Sequence, residues 1–160
     1  MWNINSSGLK NMLKNILMFL VTVFITTFLL VSQTTISNLM WLSSLDMPVN
    51  ASIVVTSIFH DLISMNTQGE VPAAGLVALG MVIAFIVARI TLIWIPIKRT
   101  YVYAFAGGAA LLMIVLLMPL AFYNLDLLAG ARSTLGKLFL VISGILGGYF
   151  FGTNLTTKEN

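Results

Sequence analysis

Four stretches of this chain are too long, too apolar and too poor in charge to fold in water. They run from Ile16 to Ile36, Ala73 to Pro96, Tyr101 to Tyr123 and Leu135 to Gly152. A helix as long as the second covers about 36 Å, and the hydrocarbon core of a bilayer is roughly 30 Å thick. Lipid cannot hydrogen-bond a free amide, so segments that cross it are helices or strands of a closed barrel. Barrel strands are short and alternate in polarity, which these unbroken runs do not. The expected fold is an all-α integral membrane protein, a bundle of four transmembrane helices in a single membrane domain over residues 1–160.

Charged residues make up 8% of the chain, against roughly 25% in soluble domains, so little mass is left to stand in water. The net charge of +3 is scattered and forms no basic stripe, which excludes nucleic acid as a partner class. With no cysteine there is no disulfide, thiolate metal site or thiol nucleophile. Lys10 and Lys14 ahead of an apolar run resemble the start of a signal peptide. That run continues to Val31, however, and Ser32-Gln33-Thr34-Thr35 follows in place of a small-x-small cleavage site. A retained first helix is expected.

Basic residues set the orientation. With the N-terminus inside, Lys10, Lys14, Lys98, Arg99 and Lys158 are all cytoplasmic, and Arg132 and Lys137 are outside. The segment from Gln33 to Val71 holds no lysine or arginine, although it carries Asp46, His60, Asp61 and Glu70. This is the positive-inside asymmetry, and it places both termini in the cytoplasm. Aromatic side chains agree: Trp41 and Tyr123 fall at the outer edge, and Trp94, Tyr101 and Tyr149 at the inner one.

The connections are equally informative. The second and third spans are joined by little more than Ile97-Lys98-Arg99-Thr100, which forces an antiparallel hairpin with Pro96 ending the incoming helix. Ser133 or Thr134 is placed to cap the fourth. Within the first outer loop, residues 37–72, a short amphipathic helix is expected over about residues 53–65, capped by Asn50 or Ser52. Val54, Val55, Ile58, Phe59, Leu62 and Met65 fall on one half of its wheel, and Thr56, Ser57, His60, Asp61 and Ser64 on the other.

Three constellations invite a functional reading. Gly144, Gly148 and Gly152 lie four apart in the last span with Gly147 beside them, and Gly80, Ala84 and Ala88 repeat the spacing in the second. Such ridges let backbones approach closely, either within one bundle or against another chain. His60-Asp61 is the only place where an imidazole meets a carboxylate, and adjacent helical residues point about 100° apart, so a surface role is expected. The nine methionines are spread without a histidine-bearing cluster, as adaptable packing residues are. No metal, cofactor or catalytic residue is expected.

Arg89 is the one charge inside a long apolar run. Its guanidinium has three outlets: the inner lipid phosphates, carbonyls or hydroxyls such as those of Thr91, Thr22, Thr26 and Thr27, or an anion or carboxylate from elsewhere. No acid of this chain lies in a span. The sequence therefore suggests a small non-enzymatic accessory, structural or assembly subunit of a larger complex in a bacterial inner membrane, in contact with the lipid bilayer and with other subunits or copies of itself. The alternative is a homo-oligomeric channel or transporter in which Arg89 lines an anion path.

Overall fold

The computed structural model describes residues 6–68, 72–121 and 128–156. The expectations for Glu70, Tyr123 and Lys158 lie outside the described residues. Five α-helices follow in order: α1 (Ser6–Ser43), α2 (Ala51–Thr67), α3 (Ala73–Trp94), α4 (Arg99–Ala121) and α5 (Thr134–Asn154), with a 3-10 turn at Ala129–Arg132 before α5. Four of them, α1, α3, α4 and α5, are long and apolar enough to cross a membrane.

Helix α1 outruns the apolar segment that announced it. It has 38 residues instead of ending near Ile36, and so extends about 57 Å. Hydropathy marks where lipid can lie, whereas a helix stops only where its backbone is interrupted. Nothing between Ser6 and Trp41 interrupts it, although polar side chains stand along it: some bond within the helix, while Thr26, Thr27, Ser32 and Thr34 find no partner among the described residues. Thr22 Oγ1 donates to the Met18 carbonyl at 2.8 Å, and Gln33 Nε2 to Ser37 Oγ at 3.1 Å. The end comes where Asp46 takes a left-handed φ of 59° just before Pro48.

The other ends obey local chemistry. Asn50 caps α2, its side chain accepting from the Ile53 amide at 2.9 Å. Ser133 caps α5 by accepting from the Gly136 amide at 3.0 Å. Helix α3 closes at Trp94 with Pro96 beyond it, as expected. Its start lacks a side-chain cap of its own, and Asn66 of α2 supplies one, accepting from the Ala74 amide at 2.9 Å.

Helices α4 and α5 form the tightest pair, α3 packs on α4, and α1 lies against α5 and, less closely, α3. Met81, Leu111, Leu140, Val31, Val77 and Val115 fill the axis. Asn15 of α1 brackets the chain after α5: its Nδ2 donates to the Thr156 carbonyl at 3.2 Å and its Oδ1 accepts from the Thr156 amide at 2.9 Å. The α3–α4 link lies at this same end, since Gly152 abuts Thr100. We call it the proximal end. The distal end carries α2, the 3-10 turn and the start of α3.

Candidate functional site

The proximal end concentrates the positive charge. Lys10, Lys14, Arg89, Lys98 and Arg99 lie on its elements, while Asp46 and Asp61, the acids among the described residues, lie distally. Above these cations sits an aromatic cluster drawn from four helices. Phe85 of α3 stacks on Phe151 of α5 with ring centroids 4.8 Å apart, and Tyr103 of α4 meets both edge-on at 5.2 and 5.3 Å. Phe19 of α1 completes the group, edge-on to Phe85 at 6.2 Å and to Phe151 at 6.1 Å. Each such pair contributes about 0.5–1.5 kcal/mol beyond its buried area. Periodicity alone gave no sign that these four rings converge.

Arg89 is on the outside of this assembly. Ala88 beside it is 3% exposed, but Arg89 is exposed and shares its side of α3 with the exposed Ile86, Ile90 and Ile93. It lies one turn beyond Phe85, hence along the seam where α3 meets Phe19 of α1. The internal hydroxyls do not receive it. Thr22 and Thr91 donate back to their own helices, and Thr26 and Thr27 are buried without a partner among the described residues. Among the described residues the only close charge contact is His60 Nδ1 to Asp61 Oδ1, at 3.7 Å.

The glycines of α5 face the interior of the chain itself. A Cβ at Gly144 would strike the Gly107 carbonyl oxygen, and one at Gly148 the Tyr103 carbonyl oxygen. At Gly152 it would stand 2.8 Å from Thr100 Cα. Gly147, on the adjacent face, is filled from α1 by the Thr26 hydroxyl. In α3, Gly80 meets Ile114 Cδ1, which a Cβ would approach to 3.0 Å; Ala84 is half-buried and Ala88 buried. Gly107, Gly130 and Gly136 belong to the same close-packed set without having stood out in the sequence, because the residue each one meets is distant along the chain or on another element. Gly136, for example, abuts the Gly130 carbonyl, and Gly130 abuts Gln33 of α1.

At the distal end, α2 is rotated relative to the expected amphipathic arrangement. His60 is exposed, but Asp61 turns inward and is half-buried. Its Oδ2 lies 2.8 Å from Thr35 Oγ1, which also lies 3.0 Å from the Val31 carbonyl. The hydroxyl has one proton for two acceptors, and the shorter, charge-assisted bond is the stronger. Val55 and Phe59, placed by the wheel on the inner half, are exposed together with Ile63. With this turn of α2 the half-buried Asp61 carboxylate accepts from a hydroxyl of α1, a partner that no wheel of α2 registers.

Among the described residues the fold is all-helical, and its four long apolar helices suggest a membrane protein. The chain matches no protein-family model, no curated protein and no solved structure.

Proposed function

We propose that this protein is a non-enzymatic accessory, structural or assembly subunit of a larger complex in a bacterial inner membrane, with both termini in the cytoplasm and α2 on the outer side. The supporting observation is the distal extension of α1 and α2. Transmembrane helices tilt by up to about 40°, which fits about 39 Å of helix into a 30 Å core. At least about 18 Å of α1 therefore lies beyond the hydrocarbon, divided between the proximal turns that carry Lys10 and Lys14 and the distal end at Trp41. Yet Met40, Trp41, Leu45 and Met47 around its distal end, and Val55 and Phe59 on α2, are all exposed. Large apolar side chains at and above the headgroups are where a second protein gains most by covering them.

The channel reading has less support. Arg89 would have to face an axis shared between copies, and Ile86, Ile90 and Ile93 would line that path beside it.

Gentle extraction of the full chain, followed by mass spectrometry of whatever accompanies it, tests the proposal. Stoichiometric recovery of another membrane protein, reduced several-fold by Phe59→Asn and Met40→Asn with helix content unchanged, is expected. A monomer free of any partner refutes it.

A further inference from the structure

We infer that the α1–α3 seam at the proximal end binds one anionic phospholipid, with its phosphate on Arg89. The inference rests on the membrane reading of the fold and needs no partner protein. Arg89 precedes Trp94, the last residue of α3, by five positions, so its Cα lies about 7.5 Å inside the end of the helix. Isoleucines surround it there, and inside the chain its hydroxyl alternatives are engaged or buried elsewhere. A guanidinium left in the hydrocarbon there without an anion is costly, and its long stem carries it toward the headgroup phosphates at the helix end. A phosphate satisfies its planar fork through two parallel N–H···O bonds.

Three features favour a lipid as the source of that phosphate. The seam beside Arg89 is apolar, walled by Phe19 and Phe85, and therefore accepts an acyl chain. It is also less extensively packed than the α4–α5 seam. Finally, the neighbours of Arg89 on the α3 surface are aliphatic, with no polar group to fix the register of a protein carboxylate. Charge then selects the headgroup. Lys98, Arg99, Lys10 and Lys14 lie at the same end, and no described acid balances them. A zwitterionic headgroup gains little from this field, and one with net negative charge is held.

The test is native mass spectrometry of the purified full chain in mild detergent, titrated with phosphatidylglycerol or with phosphatidylcholine of the same acyl length. Preferential retention of phosphatidylglycerol is expected. Arg89→Gln weakens it at least about fivefold, the loss of about 1 kcal/mol that one cation near an anionic surface contributes. Arg89→Lys, which keeps the charge but not the fork, falls between. Melting curves and circular dichroism of each variant separate lipid loss from unfolding. If Arg89→Gln does not fold, the lipid preference of the wild type and the intermediate affinity of Arg89→Lys decide.

Soluble glycerol phosphate, added at the lipid concentration, leaves the bound lipid in place. Displacement would mean that the site takes a free anion, and it overturns the assignment. Equal retention of the two lipids, or unchanged binding by Arg89→Gln, overturns it as well. So does an acidic membrane protein that accompanies the wild type and is released by Arg89→Gln in place of lipid. Absence of the partner described under Proposed function with lipid binding intact leaves this site standing, so the two proposals fail separately.

Discussion

Adding one methyl group at Gly148 tests the packing of this bundle directly. A Cβ there would run into the Tyr103 carbonyl oxygen and come within 2.8 Å of its carbon and 3.1 Å of Ala104 Cα. Real Cβ atoms essentially never sit closer than 3.0 Å to such atoms, and here the obstacle is backbone, which cannot swing aside as a side-chain tip can. Helix α5 must therefore move away from α4. Because Gly144 and Gly152 lie on the same face, their close approaches to Gly107 and Thr100 open with it. Overpacking of this kind costs about 1–3 kcal/mol, and each interhelical Cα–H···O bond that opens adds about 0.5–1 kcal/mol. We expect Gly148→Ala to destabilise the bundle by about 2–4 kcal/mol. Gly148→Leu should prevent close association of α4 and α5. Gly75→Ala is the matched control. Its nearest obstacle is Pro72 Cβ at 3.8 Å, so only the better helix propensity of alanine remains, worth up to about 1 kcal/mol of stabilisation. The assay is reversible unfolding in mixed micelles followed by circular dichroism. The same chemical change should move the midpoint in opposite directions at the two sites. Equal midpoints for Gly148→Ala and the wild type would refute the backbone-contact argument.

Two further polar pairings carry predictions of their own. Asn15→Ala removes both hydrogen bonds that hold Thr156 against α1 and should cost about 1–2 kcal/mol. It should also speed hydrogen exchange of the Thr156 amide, and protection unchanged from the wild type would contradict the bracket. Thr35→Val and Asp61→Ala, singly and together, should give a coupling energy of about 1–2 kcal/mol in a double-mutant cycle. Strict additivity would show that the two side chains do not hold α2 to α1.

Much of the architecture was legible residue by residue. The four spans follow from hydropathy because a bilayer penalises each polar group where it stands, whatever its tertiary neighbours. The stop before Pro96 and the caps at Asn50 and Ser133 are likewise decided within a few residues. The length of α1 was not, because Ser32-Gln33-Thr34-Thr35 leaves the apolar pattern without breaking the helix.

What the sequence determined by itself is the medium this protein folds in, the number of helices suited to crossing it, and the surplus of cations on the segments that meet at one end. Each follows from composition along a single helix or loop. Only the tertiary structure decided direction. It turned Gly144, Gly148 and Gly152 toward α4 and gave Gly147 to α1, rotated Asp61 onto Thr35, and left Arg89 outside the aromatic cluster. A helical wheel gives the angles between residues on one helix but not the helix that faces them. That identity depends on chain-distant pairs such as Asn15 with Thr156, where shape and hydrogen bonding are satisfied only once the helices have met.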